Sequence, residues 1–278
     1  MGLALVYWYD RVSPGTSIGL HNPTHTYIPL RLLKSLGGIF IAPFFNGAMK
    51  LLGPAYLRFS PPNLKFKKTL AQQGLFILNF SLPAGRACPG ADKCWAMAVT
   101  DEDGKVELKK GVDNEYVCYA ARGEVAYSNT RRARANNKAI IDGLSVSEIV
   151  DLTLLSLEAN YKSLLKKANL MRWHVSGDFY CPKWRDAVFI LTQELSQLTH
   201  YAYTKNLPLF LDIKKPSNFR LTVSWGGRFD SMINEKDFPR QAKVVADHDE
   251  AERLKLPVDV NDQLAFGPIE QPFALINH

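Results

Sequence analysis

The chain has 278 residues, 46% of them hydrophobic, enough to bury an ordinary core in one large domain with or without an appendage. Neither internal repeats nor low-complexity tracts stand out, which argues against a solenoid or a disordered scaffold. With 34 basic and 27 acidic residues the formal charge is +7, which suits an anionic partner such as nucleic acid or a phosphorylated small molecule.

The first 60 residues differ in character from the rest. "MGLALVYWYD" is apolar but lacks the basic start and small-residue cleavage site of a signal peptide. "LGGIFIAPFFNGAM", Leu36 to Met49, has 14 uncharged residues, too few for a membrane span, and is broken by Gly37, Gly38, Pro43, Asn46 and Gly47. We expect an N-terminal apolar extension over 1–60 and no transmembrane segment. "SPPNLK" at 60–65 reads as a linker, and 61–278 as a single domain. "GLFILNFSLPAG" contains a short β-favouring run, Leu75 to Phe80, that ends at Pro83 and Gly85. Further on, "TDEDGKVELKKGVDNEY" is polar with DG and KG turn signals, so a hairpin or loop insertion is expected near 99–115.

From about residue 144 the pattern changes. "LSVSEIVDLTLLSLEANYKSLLKKA" spaces its apolar residues as a helix, with Ser145 or Ser147 as the cap and Glu148 in the first turn. A strand ("LMRWHVSGDF"), a helix ("PKWRDAVFILTQELSQL"), two strands ("HYAYTK" and "NFRLTVSWGG") and a strand–helix unit ("AKVVADHDEAERLKL") follow. Strand ends fall near 176, 204, 225 and 246. That alternation predicts βα units and an α/β fold, a partial or complete (β/α) barrel with parallel strands. Polar residues at the C-terminal tips of such strands gather on one face. The tips are "SGD", "YTK", "SWGGR" and "ADHD".

Four cysteines in a chain this long, without a clear leader, read as a reducing cytoplasm rather than a disulfide framework. Three of them, Cys88, Cys94 and Cys118, have 5 and then 23 residues between them. Several readings stand for these thiols. Zinc is poorly served, because there is no Cys-x-x-Cys pair and the next histidine is His174. Three thiolates that leave one position open suit a [4Fe–4S] cluster whose fourth iron binds a small molecule. Unrelated buried thiols are another reading. A nucleophile is the last, with Cys181 and His174 as the pair.

Six blocks, "FSLPAGRACPGADKC", "CYAARGEVAYSNTRRARANN", "HVSGDF", "YAYTK", "LTVSWGGRFD" and "FALINH", together resemble the bacteriophage gene-product-88 family over roughly 62–278. The resemblance implies a phage or prophage setting, hence a bacterial host cytoplasm, and brings no activity with it. More distantly, the layout is similar to radical S-adenosylmethionine enzymes, in which three cysteines after the first barrel strand hold a [4Fe–4S] cluster. That likeness implies metal ligation by Cys88, Cys94 and Cys118. It implies cofactor contacts from Tyr119, Ser176, Gly177 and Asp178. The strand tips themselves add Ser224 and Arg228 as cofactor-lining candidates, with Lys205 and Arg228 each able to hold a carboxylate or phosphate, and Lys205 and Asp178 are the catalytic candidates. The family's usual cysteine spacing is more compact, and Ser176-Gly177-Asp178 is an approximate match that also serves as a cap for a helix beginning near Lys183.

Arg131, Arg132, Arg134 and Lys138, with Arg122, Tyr127 and Asn136 nearby, form a basic stretch after the last cysteine. On a helix Arg131 and Arg134 share a face, as do Arg134 and Lys138. Such a stripe can follow the phosphates of DNA or RNA. Asp230 and Asp247 suit acid–base work or caps equally. The expectation is an enzyme of radical S-adenosylmethionine type modifying a nucleotide, nucleic acid or other small substrate. The alternative is a nucleic-acid-binding phage protein with structural zinc or metal-free cysteines and no catalysis.

Overall fold

The computed structural model describes residues 56–62 and 70–277. Most of the expected extension, including Leu36 to Met49, lies outside the described residues, as do 63–65 of the linker. In chain order the elements are β1 (Phe59–Ser60), β2 (Ile77–Phe80), β3 (Ala96–Thr100), β4 (Val106–Lys110), α1 (Tyr119–Ala126), α2 (Ser128–Asp142), α3 (Val146–Leu165), β5 (Leu170–Trp173), α4 (Pro182–Glu194), β6 (Thr199–Thr204), β7 (Phe219–Ser224), β8 (Gln241–Val245), α5 (His248–Arg253), α6 (Gln263–Phe266) and β9 (Phe273–Ile276). No helix among the described residues is long and apolar enough to cross a membrane.

The main sheet runs β1-β2-β5-β6-β7-β8-β9; β1 is antiparallel to β2 and every later pair is parallel. Among the described residues no pairing joins β9 back to β1, so the sheet is open. All four residues of β2 are buried, as a parallel strand covered on both faces requires. Alternation sorts the faces. Leu78, Phe80, Met171, Trp173, Ala202, Leu221 and Val223 pack with the larger core, which includes Ile149 and Leu157 of α3 and Trp184 and Leu191 of α4. Ile77, Leu170, Tyr201, Ala242 and Phe273 face the other way, onto Leu70 and Ala265 of α6.

Local chemistry sets the helices. Ser145 and Glu148 form a reciprocal capping box at the start of α3, and Ile149, Val150, Leu152, Thr153, Ser156 and Leu157 make its buried stripe. Pro182 occupies the first turn of α4, where its missing N–H costs nothing. Cys181 rather than Asp178 stands at the N-cap of α4, which corrects the capping reading of Asp178. The strict strand–helix alternation also fails. Only single 3-10 turns, Leu207–Leu209 and Asp230–Met232, lie between β6 and β7 and between β7 and β8. Pro208 and Pro216 in the first connection, and Gly226, Gly227 and Pro239 in the second, oppose a longer helix. β5 stops at Trp173, three residues before the expected end, because His174 takes a left-handed φ of 63° and turns the chain out of the sheet.

The edge strand is short and held by side chains. Asn137 of α2 accepts from the Arg58 N–H (2.8 Å) and donates to the Arg58 and Ser81 carbonyls. The Leu57 and Phe59 amides donate to Ser156 Oγ and to the Tyr161 hydroxyl. The free flank of β2 is thereby covered.

Candidate functional site at the strand tips

The segment Cys88 to Cys94 lies across three tips of the parallel sheet. The Asp178 amide donates to the Ala87 carbonyl (2.7 Å), and the Leu82 amide to the Ser176 carbonyl (2.9 Å), which fastens the segment to the "SGD" tip. Ala91 pairs with Gly227, the Lys93 amide donates to the Gly226 carbonyl and the Arg228 amide to Gly90, which fastens it to "SWGGR". Close backbone approach explains the glycines. A Cβ on Gly227 would stand 2.8 Å from the Gly90 carbonyl oxygen, and one on Gly177 (φ 79°) would stand 2.6 Å from Leu82 Cβ.

The 23 residues between Cys94 and Cys118 leave and return. They contain the β3–β4 hairpin, in which Ala96 pairs with Lys110 and Thr100 with Val106. Below it the Gly111 amide donates to the Trp95 carbonyl, and those of Glu115 and Tyr116 to the Lys93 carbonyl. The Lys93 ammonium also pairs with Glu115 at 2.8 Å. The chain at Glu115 is therefore back beside Cys94, and Cys118 follows at the N-cap of α1.

The site shifts the ionisation of Cys88 and Cys94. Burial pushes Cys88 well above the ordinary thiol range, and the Asp178 carboxylate, Cys118 and Cys94 push it further. Burial also raises Cys94, with Cys118 and Asp178 adding to the rise, against the Lys205 ammonium and a hydrogen bond from Tyr116. All four cysteines are free and half-buried. Among the described residues no group of three or more His, Cys, Asp or Glu side chains is arranged to hold a metal ion. The donor set is nevertheless soft and mutually repelling when ionised, which is the condition a cationic thiophilic group relieves.

The tips supply the surroundings. Asp178 is buried. Its carboxylate accepts from the Phe179 amide (2.6 Å), the Thr204 hydroxyl (2.7 Å) and the Lys205 amide (2.8 Å), and so clamps the β5 tip to the β6 tip. Burial outweighs these bonds and raises its pKa to about 6. Lys205 Nζ donates to the Ser224 hydroxyl (3.1 Å), to the carbonyls of Ser224 and Trp225 and toward the Tyr116 hydroxyl. Burial lowers its pKa, against the pull of Cys94, Asp230, Asp178 and Cys88. Arg228 donates to the Ala91 carbonyl at 3.3 Å. Tyr119, next to Cys118, donates its hydroxyl to the Val175 carbonyl at 2.5 Å while 59% of the residue stays exposed.

Two residues were not singled out from the sequence. The Tyr116 hydroxyl lies against the position a Cβ of Gly226 would take, at 2.7 Å. Glu124 of α1 is 3% exposed and accepts from the Ala84 amide (2.9 Å), the Ser176 hydroxyl (3.2 Å) and Arg134 (2.9 Å). The signal for Glu124 is helical spacing, since Ala120, Ala121 and Glu124 form the buried face of α1. The Glu124–Arg134 pair has side chains only 4% and 13% exposed. Glu124→Ala leaves the Arg134 charge with only the Ala120 carbonyl and the Ala84 amide without an acceptor, so urea denaturation should show a loss of about 3–5 kcal/mol. Arg134→Met in the same chain should recover part of that loss.

Other expectations change. His174 is buried and accepts from the Trp184 indole N–H (2.7 Å), and burial lowers its pKa to about 3, so it is no base for Cys181. Asp230 accepts from the Gly226 and Gly227 amides and so closes the turn after β7, and Asp247 accepts from the Glu250 amide as the N-cap of α5. The basic stretch does not present one stripe. Arg134 is committed to Glu124, and Lys138 to Asp142 (2.7 Å) with its ammonium over the Tyr180 ring. A cavity of about 220 Å³, lined by Trp225, Gln241, Lys243, Leu254, Leu256, Pro272 and Phe273, contains none of the thiols.

A family model described as gene product 88 matches residues 58–278. No curated protein and no solved structure matches the chain, and these comparisons provide no link to radical S-adenosylmethionine enzymes.

Proposed function

This chain belongs to the gene product 88 family, and we propose that it is an enzyme of radical S-adenosylmethionine type that holds a [4Fe–4S] cluster on Cys88, Cys94 and Cys118. The observation that carries this reading is geometric: the segment bearing Cys88 and Cys94 is fastened over the strand tips, and the chain returns beside it at Lys93 and Glu115 just before Cys118 caps α1. Thiolates are soft donors, and an iron–sulfur group is the kind of cationic partner that relieves their mutual repulsion once they ionise. The sheet supports the same reading. Six parallel strands follow in chain order, as in part of a (β/α) barrel, and the cysteine segment leaves the tip of the first.

When bound, the cluster would supply one electron from an external low-potential reductant to break a sulfur–carbon bond of S-adenosylmethionine, with hydrogen abstraction from the substrate as the consequence. The protein's part is positional. Asp178, with its carboxylate committed to the tips, holds the cysteine segment and the "YTK" tip in register and is a positioning residue. Lys205 fixes "SWGGR" and lays positive charge beside Cys94, favouring its thiolate. Glu124 orients Ser176. The exposed ring of Tyr119 flanks the thiols where the cofactor would enter. The phage setting and the host cytoplasm remain part of this proposal.

Anaerobically reconstituted, dithionite-reduced protein should convert S-adenosylmethionine to methionine and 5′-deoxyadenosine in equal amounts, and Cys118→Ala should give neither while staying folded by circular dichroism. A colourless chain carrying one zinc would favour the non-catalytic alternative. An iron-loaded chain that leaves S-adenosylmethionine intact would refute the reaction class.

A further inference from the structure

Beside the thiols, α1 and α2 build a surface of unusual composition. From Tyr119 to Ile141 the sole carboxylate is Glu124, which is buried and neutralised by Arg134. Three cations there have no carboxylate partner among the described residues. Arg122 is exposed on α1, Arg132 is exposed and donates to the Asn129 side chain, and Arg131 donates to the Glu124 main-chain carbonyl. Between and beside them Tyr119 and Tyr127 are 59% and 66% exposed. The remaining exposed side chains, among them Ser128, Asn129 and Asn136, are small or hydrogen-bonding.

We propose that this surface binds single-stranded nucleic acid, with phosphates on Arg122, Arg131 and Arg132 and unpaired bases stacked on Tyr119 and Tyr127. Cations without counter-charges attract a polyanion, and half-exposed rings interleaved with them offer faces that any base can stack on. A duplex keeps its bases paired and away from such rings. Tyr119 ties the surface to the thiols, since it follows Cys118 and its hydroxyl reaches Val175 before the "SGD" tip. A strand lying on α1 therefore passes the mouth of the site. As a substrate assignment this rests on the cluster reading above; as a binding surface it does not.

The test is fluorescence anisotropy of the full chain, iron-free and iron-loaded, with a mixed-sequence 12-nucleotide single strand (about that length suffices for one site) as DNA and as RNA, and with the matching duplex. Single strands of one or both kinds should bind and the duplex more weakly, with a log–log salt slope of about −2 for three phosphate contacts. The double variant Arg122→Ala, Arg132→Ala should bind about tenfold or more weakly and flatten the slope by about 1.4. Tyr127→Ala should weaken binding about fivefold or more, whereas Tyr119→Phe, which keeps the ring, should bind as the parent chain does. Equal affinity for duplex, affinity unchanged in the variants, or binding to phosphatidylserine vesicles with none to the oligonucleotides would overturn it. Binding that persists without iron separates this surface from the cluster reading, because either can then fail alone.

Discussion

Gly90→Ala is expected to destabilise the fold by about 3 kcal/mol or more and to abolish iron retention. A Cβ at Gly90 would overlap the Lys205 carbonyl and stand 2.8 Å from the Asn206 amide nitrogen. That backbone has nowhere to go. The Lys205 amide donates to Asp178 (2.8 Å), and the Asn206 amide to the Thr204 hydroxyl (3.0 Å). Relief must come from lifting the cysteine segment off the "YTK" tip, which parts Cys88 and Cys94 from Cys118. Gly104→Ala is the control. Its φ is 81° but nothing lies within 4 Å, so only a local backbone cost of about 1–2 kcal/mol is expected, and iron should be retained. A Gly90→Ala chain that melts with the parent and keeps its iron would show that the segment is not docked as described.

Acid should weaken the fold well before the carboxylates of the surface titrate. His200 Nδ1 accepts from the Trp173 indole (3.1 Å) and its Nε2 faces the Leu195 carbonyl (3.2 Å), so one neutral tautomer satisfies both partners. Burial lowers His200 to about 4 and His174 to about 3. An unfolded histidine takes up its proton near pH 6.5, so the unfolded chain gains protons that the native one refuses. Depressed histidines contribute stability that is fully present above about pH 6.5 and lost as pH falls toward their folded values. Asp178, raised to about 6, works in the opposite sense between its folded and unfolded values and offsets part of the loss. The net expectation is a fall of about 3 kcal/mol between pH 7 and pH 4.5, read from urea midpoints. His200→Gln keeps an acceptor and a donor but cannot titrate, so it should remove about three quarters of the net fall, leaving His174 nearly balanced by Asp178. A profile that is level or rises toward pH 4.5 would contradict the burial of both rings.

Much of the framework is legible locally. The capping box at Ser145 and Glu148 and the apolar stripe that follows fix α3 without reference to the rest of the chain, and the apolar runs at Leu75 to Phe80 and in "LTVS" announce strands buried on both faces. What escapes is set by contacts between distant segments. The turn signals after Asp101 indicate a hairpin, but nothing local states that Glu115 returns to Lys93 and closes the long cysteine gap. Asp178 has the composition of a catalytic acid, yet its three donors come from Phe179, Thr204 and Lys205. The cations after Cys118 read as one stripe until Glu124 removes Arg134 and Asp142 removes Lys138. Between β6 and β8 the sequence reads as successive strands with no helical run, and proline and glycine there leave room only for 3-10 turns.

Whether Cys88, Cys94 and Cys118 share one cluster is decided most directly by native mass spectrometry of the anaerobically reconstituted chain. One species should carry the added mass of a single [4Fe–4S] group, and it should be absent when any of the three cysteines is replaced by Ala and unaffected by Cys181→Ala. A zinc adduct in its place, or a full cluster retained in Cys118→Ala, would contradict shared ligation by these three thiols.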